Sequence, residues 1–196
     1  MVLHEPDLGA SDKVIIAVDA DSTGTVEAEH VLHGLLESVT GPVVACTHVV
    51  PGGHVAVSIS TPADFDRAAL THDVGSAIIR AGAAEPEVAG PSQLVRGAYV
   101  AAVETALGTA GRLVVFPGQE NARGTVTAAD LRARCGIDQV EALGGLAVDD
   151  TTLIDTRDYI RPIRRNGQVV LLVQPAVGGV LIPFEVEHQQ KCCSDH

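Results

Sequence analysis

Apolar positions in the first sixty residues follow three successive spacings. Residues Lys13–Ala20 form a nearly unbroken apolar run, which is typical of a buried strand. A helix is predicted next, because apolar residues recur at steps of three and four positions before Gly41-Pro42: Ala28, Val31, Leu32, Leu35, Leu36 and Val39. The runs Val43–Val50 and His54–Ser60 follow, and the second alternates apolar and polar positions. Joined by Pro51-Gly52-Gly53, they predict a β-hairpin with one buried face.

The pattern then returns to helix. Thr61-Pro62 supplies an N-cap and a first-turn proline for a helix that runs to about Gly82. Another helix is predicted over Gln93–Leu107, and a buried strand over Arg112–Phe116. The order is strand, helix, hairpin, two helices and strand. It favours an α+β fold with a ferredoxin-like split βαβ core, in which the antiparallel hairpin lies between helices.

The second half of the chain is dominated by β signals. Thr127–Asp130 predicts the start of a short helix that ends at Gly136. Asn166-Gly167 between apolar runs is a strong hairpin signal. We therefore expect an antiparallel β-meander of three strands: Leu153–Ile163, Gln168–Gln174 and Val180–Val186.

These patterns predict four segments along the chain. They are a flexible tail (1–12), the ferredoxin-like core (13–118), a helix-plus-meander extension (119–187) and a tail rich in cysteine and histidine (188–196).

Charge narrows the partners that we expect. The net charge is −12, and nucleic acid and anionic membranes both require a positive surface, so neither is expected as a partner. Residues 1–111 hold 14 acidic and 4 basic side chains, whereas residues 112–196 hold 11 and 9. An anion-binding surface would therefore belong to the second part. With no apolar run of about 18 residues and no leader pattern, we expect a soluble cytoplasmic protein.

One local motif points to catalysis. The stretch Val14–Thr23 places Asp-x-Asp-x-Thr directly after apolar strand residues, and it resembles the first motif of the haloacid-dehalogenase-like phosphohydrolases. That resemblance implies Asp19 as nucleophile, Asp21 as general acid and base, and Mg²⁺ as cofactor. Asp149 and Asp150 loosely resemble the acidic metal-binding motif of the same family. The family's parallel sheet conflicts with the hairpin that we predict.

The residues near the carboxyl terminus predict a metal centre. Cys192, Cys193 and His196 supply two thiolates and an imidazole within five residues, which are suitable ligands for Zn²⁺ or Cu⁺. Further ligands could come from Cys46 and His48, which share a strand face because they are two residues apart. The alternative interpretation is a tail with no metal.

Two polar segments are candidates for ligand binding. Arg157, Arg161 and Arg165 have the same parity on a predicted strand, so their guanidinium groups could bind a carboxylate or a phosphate from one face. The loop after Arg112–Phe116 offers three polar side chains, Gln119, Asn121 and Arg123.

Three functions follow from these observations. We favour a non-catalytic module that binds a small molecule or a protein partner, because no dense catalytic constellation is visible in the sequence. The unpaired edges of a hairpin-bearing sheet also favour a homodimer. The alternatives are a metal-binding protein that uses the cysteine-rich tail and a Mg²⁺-dependent phosphohydrolase that uses Asp19 and Asp21.

Overall fold

Strands outnumber α-helices twelve to three within residues 13–62, 75–82 and 85–187, which are the residues that the computed structural model describes. The helices are α1 (Thr25–Leu36), α2 (Ser92–Leu107) and α3 (Ala128–Arg134). The strands are β1 (Lys13–Asp19), β2 (Val44–Val49), β3 (Val55–Pro62), β4 (Ala77–Ala81), β5 (Glu87–Ala89), β6 (Arg112–Val115), β7 (Thr125–Thr127), β8 (Gln139–Ala142), β9 (Leu153–Asp155), β10 (Ile163–Arg165), β11 (Gln168–Pro175) and β12 (Leu181–Pro183). The chain divides into two units, Met1–Ala106 and Leu107–His196.

The first unit contains an antiparallel sheet in the order β5-β4-β1-β3-β2. β1 is central, and its neighbours β3 and β4 both run antiparallel to it. Because side chains alternate across a strand, the register places Ala17 and Asp19 on the same face as Ala56. On this face α2 packs through small residues, since Ala98, Ala101 and Ala102 share one buried cluster with Ala17 and Ala56.

The second unit is built from shorter strands with mixed pairing. Its strand order is β6-β10-β11-β12-β9-β7, and β8 pairs with β11. β8 runs parallel to β11, and β9 runs parallel to β12. The other pairs within this unit are antiparallel. Leu131, Ile154 and Leu171 are among its fully buried side chains and form part of its core.

The ferredoxin-like prediction is wrong. The strand predicted to complete that core, Arg112–Phe116, becomes β6, which pairs with β10 in the second unit. The place beside β1 belongs instead to β4, within a stretch that we predicted as helix up to Gly82. Thr61-Pro62, interpreted as the start of that helix, forms the end of β3. The sequence Ala77–Ala81 is too short to distinguish a buried strand from a helical turn, which explains the error.

The predicted three-stranded meander is also wrong. The first of its strands, Leu153–Ile163, is split into β9 and β10 by a turn in which Arg157 and Asp158 both have positive φ angles, 55° and 53°. A strand cannot continue through two residues of left-handed conformation. Strand β8 and the parallel pairings of β8 with β11 and of β9 with β12 were not expected from the pattern of apolar residues.

Two local predictions are confirmed, the pairing of β2 with β3 and the turn at Asn166-Gly167. β2 and β3 form the antiparallel hairpin, with Cys46 paired to Ser58. The expectation of a single buried face is wrong, because Ala56 and Ser58 are buried as well as the alternating apolar residues of β3. Asn166 and Gly167 form the turn between β10 and β11, and both have positive φ angles, 53° and 80°. None of the helices in the described part of the chain has the length and apolar character needed to cross a membrane.

Candidate functional site

A buried carboxylate lies at the carboxyl end of β1. The side chain of Asp19 is 0 % exposed, and its Oδ1 accepts a hydrogen bond of 3.0 Å from the backbone N–H of Asp21. This bond forms because the chain turns sharply after β1: Asp21 has a φ of 58°, a left-handed conformation that aspartate tolerates better than most residues. The turn therefore gives the buried carboxylate of Asp19 a backbone hydrogen-bond donor and brings a second carboxylate, that of Asp21, close to it.

His54 is the second partner of Asp19. Its Nδ1 lies 3.2 Å from Oδ2 and 3.3 Å from Oδ1 of Asp19. The pairing of β1 with β3 brings the two residues together, since His54 immediately precedes β3. The hairpin turn approaches the ring closely, because a Cβ atom at Gly52 would lie 2.6 Å from Nε2 of His54. Gly52 also has a φ of 110°, which other residues rarely adopt, so a side chain here would strain the turn and displace the imidazole.

α2 closes over the same carboxylate. A Cβ atom at Gly97 would lie 1.9 Å from Oδ2 of Asp19, so any side chain at this position would displace the carboxylate or the helix. Leu94 and Ala98, which are nearby on α2, pack against the buried face of the sheet. Glycine therefore allows the helix to shield Asp19 from water.

The outer side of His54 faces solvent. Its side chain is 21 % exposed, and its Nε2 lies 3.6 Å from Oδ1 of Asp21, whose side chain is 70 % exposed. Near this loop, Glu27 of α1 accepts a hydrogen bond of 2.8 Å from the backbone N–H of Thr23. His54 thus stands between a buried carboxylate and an exposed one. We call Asp19, Asp21 and His54 the β1 site.

A second polar network lies deeper in the first unit. Nδ1 of His48 is 2.7 Å from Oε2 of Glu104, and its Nε2 is 2.8 Å from Oγ of Ser58. The hydroxyl of Thr105 completes the network, 2.7 Å from the hydroxyl of Ser58. An acid, a histidine and a serine in this order resemble a catalytic triad by distance. Ser58 is 0 % exposed, however, so a substrate cannot reach its hydroxyl, and the network serves to bind α2 to the sheet.

The predicted catalytic pair, Asp19 and Asp21, does lie together. The geometry differs from what the phosphohydrolase resemblance implies: Asp19 is enclosed by His54 and Gly97, and β1 has antiparallel neighbours. Of the acidic pair compared with the family's metal-binding motif, Asp149 accepts hydrogen bonds from the hydroxyls of Thr151 and Thr152, which lower its pKa. The phosphohydrolase function stays a prediction that this geometry does not favour.

Two of the five predicted metal ligands lie within the residues that the structure describes. Cys192, Cys193 and His196 are outside the described residues. Cys46 and His48 do share a face of β2, and both are buried, with His48 bound to Glu104. In the ranges that the structure describes, no three side chains of histidine, cysteine, aspartate or glutamate are grouped so that they could hold a metal ion.

The predicted arginine row does not form a strand face. Arg157 and Arg161 lie in the turn between β9 and β10, where Arg157 bonds to Asp155 and the guanidinium of Arg161 stacks 4.1 Å from the ring centre of Tyr159. Arg165, at the end of β10, bonds to Glu141. These contacts give each guanidinium a different environment.

The loop after β6 contains the remaining ligand-binding candidates. Gln119 and Asn121 belong to a short 3₁₀ turn, and the side-chain amide of Asn121 donates to the backbone carbonyl of Arg134 at 2.9 Å. Arg123 is exposed. Ligand binding by this loop stays a prediction.

Sequence reasoning missed the two histidine–carboxylate contacts. His54 lies 35 residues from Asp19 along the chain, and His48 lies 56 residues from Glu104. Neither pair belongs to a short sequence motif, so neither could be recognised from residue spacing. No protein-family model, no curated protein and no solved structure matches the chain.

Proposed function

We propose that this protein binds a small organic cation, of the primary ammonium type, at the β1 site. One observation carries the proposal: the accessible edge of His54 faces the exposed carboxylate of Asp21 while its other edge is held by the buried carboxylate of Asp19. A carboxylate accepts hydrogen bonds and donates none when ionised. An ammonium group supplies three donors and a positive charge, and it matches this set of acceptors.

The charge around the site supports a cation over an anion. In the part of the first unit that the structure describes, the basic side chains are Lys13, Arg80 and Arg96. Lys13 is at the opposite end of β1 from Asp19, and Arg80 lies 3.5 Å from Glu87 across the pairing of β4 with β5. The exposed carboxylate of Asp21 beside His54 attracts a cationic ligand and repels an anionic one.

The ligand set supports an organic cation over a metal ion. Zn²⁺ and Ca²⁺ are held by three or more protein ligands in most stable sites, whereas the described residues provide no such group of three. An ammonium group needs only two or three acceptors and can keep part of its hydration, as the half-open position of His54 allows. The proposal keeps the binding module predicted from the sequence and moves its site from the arginines to the aspartates.

Calorimetric titration with 1,4-diaminobutane tests the proposal, with succinate at equal ionic strength as the anionic comparison. We expect saturable binding of the diamine and none of succinate. Asp21→Asn should reduce the affinity at least tenfold, since it removes the exposed charge and keeps a residue that tolerates the left-handed turn. Glu37→Gln, at the exposed residue that follows α1, makes the same change in net charge elsewhere on the surface and should bind like the wild type. Equal affinity in Asp21→Asn, or no binding by the wild type, would refute the proposal.

A further inference from the structure

The two ring nitrogens of His54 have different hydrogen-bonding surroundings. Within the part of the chain that the structure describes, Nδ1 faces Asp19, and a carboxylate that is ionised accepts but does not donate, so with Asp19 ionised Nδ1 carries the proton. Nε2 faces the exposed carboxylate of Asp21 at 3.6 Å. If His54 is neutral, Nε2 presents a lone pair to this carboxylate, and two acceptors confront each other with no hydrogen between them.

Two arrangements place a positive charge and a hydrogen-bond donor between these two acceptors. In the first, Nε2 is protonated, and the imidazolium lies between two carboxylates. In the second, His54 is neutral and a bound ammonium group donates to both Nε2 and Asp21. Both arrangements combine two negative charges with one positive charge, so the net charge of the site is the same in each. The proton and the ligand therefore compete for one position.

The charged groups that the described residues contribute near the ring come from four elements. β1 and its following turn contribute Asp19 and Asp21, and the hairpin turn contributes the uncharged Gly52. From α2, Gly97 faces Asp19, the neighbouring Arg96 is exposed, and Glu104 is bound to His48. From α1, Glu27 is bound to the loop at Thr23. The aspartates are the ionic partners that the structure gives to His54.

We infer that the β1 site is proton-linked: a cationic ligand binds by displacing one proton from Nε2 of His54. This inference rests on the proposed function and adds its regulation. Acidification then releases the ligand, because protons occupy the position that the ligand needs. The Nε2–H bond is broken on binding, and the proton passes to the solvent buffer.

Titration calorimetry in two buffers of different ionisation enthalpy that contain no primary amine, phosphate and MES, measures the protons that are exchanged. With 1,4-diaminobutane as the probe, we expect about one proton released per ligand bound at pH values where His54 is protonated. The affinity for the diamine should fall about tenfold for each unit by which the pH is lowered in that range, since one proton competes with one ligand. His54→Gln has no titrating proton and should release none, with an affinity independent of pH between 5 and 8.

A second measurement covers the case in which His54→Gln does not fold or bind. The side-chain ¹⁵N shifts of His54 in the wild type distinguish a protonated Nε2 from one with a free lone pair, and saturation with the diamine should convert the first into the second. Measurable binding with no proton release and no change in these shifts would overturn the proton linkage while leaving the proposed function intact. No binding in either buffer would overturn both.

Discussion

His48 and Glu104 join β2 to α2 through a contact of 2.7 Å between Nδ1 and Oε2. The imidazole is fully buried, whereas the carboxylate is 27 % exposed and lies at the edge of the core. Across the ring, Nε2 meets the hydroxyls of Ser58 and Thr105. Both nitrogens are therefore satisfied, as a buried polar ring requires.

Glu104→Ala should destabilise the first unit by about 2–3 kcal/mol, since it leaves a buried imidazole without the partner of its Nδ1. Glu104→Gln keeps an oxygen acceptor at the same length and should cost less. Chemical denaturation measures both changes, and Gln93→Ala, an exposed position on α2, serves as the control. If both glutamate variants were as stable as the control, the contact would contribute nothing to the docking of α2.

A second prediction concerns the two glycines that lie within helices. Gly97→Ala should destabilise the protein by about 1–3 kcal/mol, because the added Cβ would lie 1.9 Å from Oδ2 of Asp19 in a close-packed region. Gly34→Ala in α1 should instead stabilise it by up to about 1 kcal/mol, since nothing lies within 4 Å and alanine favours helix. Opposite signs in denaturation experiments are the expected result, and a stabilising Gly97→Ala would contradict the close approach of α2 to Asp19.

Local structure was predictable where a residue's own conformation decides it. The turn at Asn166-Gly167 and the capped start of α3 at Thr127 follow from backbone preferences that act within a few residues. The hairpin of β2 and β3 was visible in the alternation of Val55, Val57 and Ile59. These features need no knowledge of the rest of the chain.

Long-range pairing was not predictable, and the candidate site depends on it. Ala77–Ala81 has an apolar run that fits either a helical turn or a short strand, and only its pairing with β1 decides the choice. Asp19 was a candidate on local grounds because it ends a strand. His54 was not, since its role follows from the register of β1 with β3 and from the close approach of Gly97.

A third prediction concerns Arg112 and Glu185 in the second unit. Arg112 donates through Nε to Oε2 of Glu185 at 2.6 Å and through Nη2 to Oε1, and the hydroxyl of Tyr159 also donates to Oε1 at 3.3 Å. Lysine carries the charge but cannot form this two-point contact. Arg112→Lys should therefore destabilise the second unit by about 1–2 kcal/mol.

The control for this pair is Arg134→Lys on α3, where the guanidinium is largely exposed and lies 4.0 Å from Asp130. Such a surface pair contributes little, so this variant should match the wild type in denaturation. Equal free energies of unfolding for Arg112→Lys and Arg134→Lys would show that the two-point contact of Arg112 with Glu185 does not stabilise the protein.

The last prediction is a pH dependence at the start of α3. The hydroxyl of Thr127 donates to Oδ2 of Asp130 at 2.7 Å, and the backbone N–H of Asp130 donates to the Thr127 hydroxyl at 3.1 Å. The bonds from the side chain and then the backbone of Thr127 hold the pKa of Asp130 below its ordinary value, with a smaller contribution from Arg134. A lowered folded-state pKa means that the stabilisation is complete above the unfolded-state pKa and is lost as the pH falls through the folded-state pKa.

Thr127→Ala should therefore raise the pKa of Asp130 toward its ordinary value, which a carboxyl NMR titration measures directly. The stability difference between wild type and variant should be constant near neutral pH and shrink as the pH falls through the folded-state pKa of Asp130, because protonation removes the carboxylate acceptor in both proteins. Thr127→Ser keeps the hydroxyl and should titrate like the wild type. A pKa of Asp130 that is the same in the alanine and serine variants would mean that the hydroxyl of Thr127 does not set it.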